Sequence, residues 1–589
     1  MMMQRKQAKG GPVTACVRFF LASLLGIGFI LLPHAHPAME LINQRGASGT
    51  MTVQFDVVLK PRDQRQLFAA AWLRSQQPPG SYLTPAQFGQ RYAPTPAKQD
   101  LVSDYFQDYG LVTGAPWAGG LVMPVAGTVA DASAALGVAF DQVHLSGGRS
   151  VVVADAYPKL PEAIDDLVDG VTGLFANGYF PVTPKGVRAN RSLTCSGLSQ
   201  KNTPSGGFSP AVVAKYYHLS RARLPHPVTV GIAEFGSVTP SLDQSIARFA
   251  RCLGEPVHLA TVAVDGGSDN TSYAHLEEMA LDIETLIAYA PGAHLLVYTA
   301  SAGDADALYL RMVSQDRASI LLTTWGSCES DTPPQQLTIE ELAFAQATLQ
   351  GQTVVAASGD DGSSDCLATR GGDGLSVDDP ASQPMVTAVG GEQFATPLGP
   401  AARPWVWNDQ TYAGASGGGL SRVFVEPPYQ HGVYAGVRGV HQLCHLRAGC
   451  RLVPDVAMIA VGGEIDVPRG GWTLLGGTSL AASVFAAGLA EVEAHASARL
   501  GLINPWLYRL SNHGRVFLPV RRGGNDFRHL HPGRFLAGGR FSLATGLGTP
   551  NFALLTRALA DWRDGRSGDA TDWVRTSATL HLREVSGRF

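Results

Sequence analysis

Four short runs with almost no polar interruption most constrain how this chain can fold. Val228 to Phe235 (VTVGIAEF), His294 to Ala300 (HLLVYTA), Ser319 to Thr324 (SILLTT) and Thr353 to Ser358 (TVVAAS) each read as a strand, with helical patterns between them. A strand with one face in water alternates apolar and polar residues, so a continuous apolar run is buried on both faces. Such strands separated by helices imply an α/β fold over residues 207–560, a parallel sheet covered by helices on both faces. Ligand chemistry in these folds gathers beyond the carboxyl ends of the strands. The composition agrees: 45% hydrophobic and 16% charged residues suit a packed core, not a disordered chain. A formal net charge of −4 without a basic block leaves nucleic acid outside the expected partners.

The rest of the chain divides around that body. Arg5, Lys6, Lys9 and Arg18 precede an apolar run from Phe19 to Leu32 that stops at Pro33. The run is short for a ~20-residue membrane span and reads as a signal peptide over 1–38, with Ala35 or Ala38 near the cut. A retained anchor is the alternative, and the expected location is secreted or periplasmic. Residues 50–175 read as a separate α+β domain: a strand at Val53–Leu59, a helix from Gln64 to Gln76, and a second helix opened by Thr84 as N-cap with Pro85 at its first position. A further helix is expected near Lys98 to Tyr109, and strands near Leu121–Val125 and Ser150–Val153. Residues 176–206 are polar, basic and rich in Pro, Gly and Ser, an exposed linker where proteolysis concentrates. Residues 561–589 read as a mobile tail. Beyond Cys16, the six cysteines Cys195, Cys252, Cys328, Cys366, Cys444 and Cys450 suit disulfides in an exported chain. Six allow 15 pairings, and Cys444 with Cys450 could staple one loop. Their spacing fits no zinc pattern.

Three segments carry candidate chemistry. Gly476-Gly477-Thr478-Ser479 opens a helix of small and apolar residues, which puts the Ser479 hydroxyl at a positive dipole end beside backbone N–H groups. The plainer alternative is that Thr478 or Ser479 merely caps a buried helix. A nucleophilic serine needs a base, and no His-Gly-Thr turn occurs in the chain. Glu278 and Asp282 lie i,i+4 on one helix face in HLEEMALDIETLIAYAPG, beside an apolar stripe of Met279, Ile283, Leu286, Ile287 and Ala290. Two carboxyls so close to a buried surface cannot both ionise easily, so one pKa must rise. Two solvated acids on an exposed face are the alternative. His275 is a possible base without a partner at useful spacing. Finally, Gly359-Asp360-Asp361-Gly362 directly follows the strand TVVAAS, which suits either a functional carboxyl or an Asp-Gly turn.

Taken together these residues resemble the sedolisins, or serine-carboxyl peptidases. Glu278-x-x-x-Asp282, Gly359-Asp360-x-Gly362 and Gly477-Thr478-Ser479 occur in that family's order and approximate spacing. Pro380-Ala381-Ser382, Ser416-Gly417-Gly418-Gly419-Leu420-Ser421, Pro428-Tyr429-Gln430, Pro454-Asp455-Val456 and Thr545-Gly546-Leu547-Gly548-Thr549-Pro550 match as well. The domain at 50–175 resembles the family's pro-kumamolisin-type activation propeptide through SYLTPAQF and Val171-Thr172-Gly173-Leu174. The resemblance implies a subtilisin-like fold and a self-activating zymogen that hydrolyses peptide bonds in acid. Ser479 would attack, Glu278 would act as general base, Asp282 would hold Glu278, and a protonated Asp360 would donate to the oxyanion. Polypeptides would be the substrates and the propeptide an intramolecular inhibitor, covering the cleft until acid loosens it and the linker is cut. A monomer is expected.

Two departures from the family pattern stand out. Sedolisins usually bind calcium near the C-terminus through two aspartates; here the matching stretch is Phe527-Arg528-His529-Leu530-His531-Pro532-Gly533, and the second aspartate position is Ser542. With His529, Leu530 and Ser542 in place of anionic donors, no calcium and no other cofactor is expected. Ser483 stands where the family usually has proline, inside the helix after the nucleophile and, on this expectation, away from proton transfer. Two other functions remain open at this point: a catalytically silent relative acting as a binding or surface protein, and a histidine-based peptidase using His275.

Overall fold

The computed structural model describes residues 45–563 except 145–149, 175–179, 182–186, 189–194, 196–197, 199–206, 368–371, 396–397, 399–401, 410–412, 435, 438 and 513–515. The expected signal peptide, most of the linker and the tail beyond 563 lie outside the described residues.

The four apolar runs form the middle of an eight-stranded sheet. Leu259–Ala263, His294–Thr299, Thr229–Glu234, Ile320–Thr323, Thr353–Ala357 and Thr387–Gln393 follow one another in that spatial order. Every pair among them is parallel, with Val230 opposite Leu295 and Ile320, and Ile320 opposite Thr353. Val456–Ile459 also pairs in parallel with Thr387–Gln393, and the short Trp405–Val406 closes that side antiparallel. Successive residues serve opposite faces. Ile232, Leu322 and Val355 join one core with helices Tyr273–Tyr289 and Thr478–Ala496, while their neighbours Ala233, Leu321 and Val354 join the other with helices Ala305–Gln315 and Pro334–Gln350. Both faces need apolar residues, which is why the runs are continuous. Each fully buried Val, Leu or Ile contributes roughly 1.5–3 kcal/mol.

The preceding domain is α+β. Its four-stranded sheet has the order Val112–Thr113, Val122–Thr128, Thr52–Leu59, Val168–Thr172. Helix Gln64–Ser75 starts at Asp63, whose carboxylate accepts from Gln66 N–H. Helix Pro85–Tyr92 has the expected Thr84 cap, completed by the Gln87 side chain accepting from Thr84 N–H. These two helices dock on the larger body: Leu67, Ala71, Phe88 and Tyr92 share a core with Leu342, Phe344 and Ala347 of helix Pro334–Gln350. Leu83 N–H donates to Leu349 O at 3.0 Å, Tyr82 Oη to Leu500 O at 3.0 Å, and the Arg311 guanidinium stacks 3.6 Å over the Trp117 ring.

Three disulfides resolve the open pairing: Cys195–Cys252, Cys328–Cys366 and Cys444–Cys450. The last is the expected loop staple. The first fastens the linker's C-terminal part to helix Pro240–Leu253.

Candidate active site

Helix Tyr273–Tyr289 is buried along nearly its whole length, so Glu278 and Asp282 are both 0% exposed. An exposed acidic face is therefore excluded. Helix Thr478–Ala496 packs across it and starts at Gly477, whose φ of 117° turns the chain into the helix and presents Ser479, also fully buried. The Ser479 and Thr324 hydroxyls stand close enough to Glu278 to pull its pKa down, although neither Glu278 oxygen nor Ser479 Oγ makes a hydrogen bond of ordinary geometry. Burial outweighs that pull, and with the charge of Asp282 it drives the Glu278 carboxyl well above the usual carboxylate range. Asp282 is pushed up to about 7 by burial, against two hydrogen bonds that lower it. Thr324 Oγ1 donates to Oδ2 and Ser483 Oγ to Oδ1, each at 2.7 Å.

The second of those bonds corrects the expectation that Ser483 lies apart from the proton-transfer residues. Residues four apart share a helix face, so the side that presents Ser479 to Glu278 also presents Ser483 to Asp282. A third buried carboxyl joins the pair. Glu234, at the carboxyl end of Thr229–Glu234, accepts from Trp325 Nε1 at 2.9 Å and is raised by burial and by the charges of Asp282 and Glu278. It was the one anion in an apolar strand run, a signal available in the sequence.

Asp360 follows strand Thr353–Ala357 and reaches the start of the Ser479 helix. Its Oδ1 accepts from Thr478 N–H at 2.8 Å and lies 2.9 Å from Thr478 Oγ1. Its Oδ2 would lie 2.6 Å from a Cβ placed on Gly477. Gly359, at φ 108°, is held just as tightly: a Cβ there would meet the Asp365 carboxyl at 2.5 Å. Two of the glycines that flagged these motifs thus make room for carboxylates. The four candidates Glu278, Asp282, Asp360 and Ser479 converge from two helices and one strand end, as the parallel-sheet rule anticipates.

His275 goes elsewhere. Its Nδ1 faces Ser272 Oγ at 2.7 Å and its Nε2 faces Asn270 Nδ2 at 3.0 Å, and burial lowers its pKa to about 4. Both ring nitrogens are engaged away from Ser479, which removes the histidine-based alternative.

The linker approaches the same region from both sides. Phe180–Pro181 pairs antiparallel with Trp325–Cys328, just after Thr324, and Val187–Arg188 pairs antiparallel with Gly471–Leu475, just before Gly476.

At the C-terminal loop the donors do not fit calcium. Asp526, a carboxylate in this loop, already accepts from Leu530 N–H at 2.9 Å and His531 N–H at 3.1 Å. His531 Nε2 faces Asp373 O at 2.8 Å, and Ser542 Oγ is 2.9 Å from Thr545 Oγ1. Among the described residues no group of three or more His, Cys, Asp or Glu is placed to hold a metal.

Comparison with known proteins gives a consistent picture. Residues 40–176 match the family model described as Pro-kumamolisin, activation domain. Kumamolisin of Bacillus sp. (strain MN-32) is 32% identical over 433 residues, covering 71% of this chain and 74% of its own. Sedolisin of Pseudomonas sp. (strain 101) is 28% identical over 548 residues, 89% of this chain and 88% of its own. Human tripeptidyl-peptidase 1 is 28% identical over 449 residues, covering 71% and 75%. The solved structure of Pseudomonas sedolisin, a serine-carboxyl proteinase complexed with two molecules of pseudo-iodotyrostatin, superposes with a TM-score of 0.52 at 28% identity, over 60% of this chain and 97% of that one.

Proposed function

Because the chain belongs to the sedolisin family of serine-carboxyl peptidases, we propose that it hydrolyses polypeptides in acid through Ser479, Glu278, Asp282 and Asp360. The coarser statement stands by itself: this is a peptidase precursor with an activation propeptide. In the proposed chemistry Ser479 Oγ attacks the peptide carbonyl while Glu278 takes its proton, and Asp282 carries the charge balance of the pair. Asp360, protonated, donates to the oxygen that becomes negative. Collapse returns the proton from Glu278 to the leaving amine, and water repeats the sequence on the acyl-enzyme.

The observation that carries this function is the burial of two carboxyls against a buried serine that, among the described residues, has no imidazole hydrogen-bonded to it. Desolvation and mutual charge keep at least one proton on the pair well above the ordinary carboxylate range. The pair works with one proton lost and one retained, so activity falls toward alkaline pH as the retained proton leaves. A silent relative would more readily have lost one of the four side chains.

The linker pairing supports self-processing, since Phe180–Pro181 and Val187–Arg188 flank the approach to Ser479. Acid does not loosen the docked propeptide through its buried carboxyls. Asp56 and Asp306 are each pushed up to about 7, chiefly by burial, so acid neutralises them and relieves repulsion at that contact. Release is then the consequence of cutting. We extend the proposal to export of the chain, for which the basic flank and apolar run near the N-terminus speak. Among the described residues no helix is long and apolar enough to cross a membrane. The proposal also includes the absence of bound calcium, on the donors described above. The deciding experiment is a pH–rate profile on an unfolded protein substrate for wild type, Glu278→Gln and Ser479→Ala. Turnover by Ser479→Ala, or an unchanged profile for Glu278→Gln, would overturn the proposal.

A further inference from the structure

Ser483 spends its hydroxyl in an unusual direction. A serine inside a helix commonly bonds the carbonyl four residues earlier, which here belongs to Ser479. Instead Oγ donates to Asp282 Oδ1 at 2.7 Å, with both residues fully buried. The other oxygen of the same carboxyl accepts from Thr324 at 2.7 Å. We infer that Ser483 is a positioning residue: with Thr324 it clamps the Asp282 carboxyl from two sides, fixes its orientation beside Glu278 and favours its ionised form.

The surroundings explain why a clamp is needed. The titratable groups facing Asp282 are Glu278 on its own helix and Glu234 on the adjacent strand, and Asp360 faces Glu278. Each is negative when ionised, and burial disfavours charge further. Two donated hydroxyls are the influences that oppose this at Asp282. The pair must lose one proton before it can accept one from Ser479, and this clamp lets that loss happen at lower pH. Thr324 comes from the end of the strand run and Ser483 from the nucleophile's helix, so the carboxyl is oriented by the same two elements that build the site.

This inference rests on the proposed peptidase function, and its test separates the two. Activated wild type, Ser483→Ala, Ser483→Thr and Ser479→Ala are compared for kcat and KM on an unfolded protein substrate across the acid limb. Removing a hydrogen bond to a charged group moves its ionisation by about one pH unit. The acid limb of kcat for Ser483→Ala is therefore expected about one unit higher, with kcat on that limb down about tenfold and KM unchanged. Ser483→Thr, which keeps a hydroxyl, restores the wild-type limb. Thermal unfolding checks that each variant is folded, and if Ser483→Thr does not fold, the alanine variant decides by itself. An acid limb of Ser483→Ala superimposing on wild type overturns the inference alone. An inert wild type, or an active Ser479→Ala, overturns the function beneath it.

Discussion

Gly477→Ala isolates the contact between the nucleophile's turn and Asp360. The new Cβ would sit 2.6 Å from Asp360 Oδ2 and 3.4 Å from its Cγ. Carbon and oxygen ordinarily approach to about 3.3 Å, so the carboxyl or the turn must yield by about 0.7 Å. Misplacement of about 1 Å in an active site costs on the order of 100-fold, and loss of an oxyanion donor about 100- to 1,000-fold. The backbone adds its own difficulty, because φ of 117° is foreign to an L side chain and strains the fold by about 1–3 kcal/mol. Activity is therefore expected to fall on the order of 100- to 1,000-fold while the precursor still folds. The assay is self-conversion of purified precursor after a shift to about pH 4, near the ordinary carboxyl range, followed by gel, with Ser479→Ala as the zero and thermal unfolding as the folding control. A folded Gly477→Ala precursor converting within about threefold of wild type would refute the packing described for Asp360.

Other outcomes follow from the buried acids and the linker. Asp282 at about 7 and Glu392 at about 8 are raised mainly by burial above unfolded values near 4, so their stabilising protonated forms are complete below about pH 4 and lost as pH rises through 7 to 8. The thermal midpoint of Ser479→Ala precursor should drop between pH 5 and pH 8.5; equal midpoints would contradict the burial of these groups. Added calcium or a chelator should leave the midpoint unchanged, and a rise with calcium would mean the loop around Asp526 binds it after all. Sequencing the new N-terminus after self-conversion should place the first cut between the two paired linker strands, after Pro181 and before Val187. A first cut beyond Cys195 would contradict the strand pairing as the route through the cleft.

The sheet was legible because double-sided burial leaves its mark in every residue of a strand, as in Ile232 and Ala233, which face different cores. Glu278 and Asp282 were legible as a pair since helical spacing alone puts them on one face. Which side of the helix is buried was not, because that depends on helix Thr478–Ala496 arriving from about two hundred residues away. The role of Thr324 was missed and Ser483 read as remote from proton transfer for the same reason: their partner Asp282 is 42 and 201 residues distant in sequence. Helical spacing from Ser479 was nevertheless a usable clue for Ser483. The disulfide pairing needed the fold, apart from the short Cys444–Cys450 loop.

Cys195–Cys252 gives maturation a lasting geometric outcome. A cut after Pro181 and before Val187 frees the upstream fragment, while the downstream end stays covalently moored to helix Pro240–Leu253. From that mooring the few remaining residues extend at most ~3.5 Å each, so the fresh amino terminus is leashed within roughly 50 Å of Cys195. On the proposed cut, the released protease would therefore carry its own severed strap as a local competitor for incoming peptides. Reducing that one bridge should lengthen the leash and ease the competition.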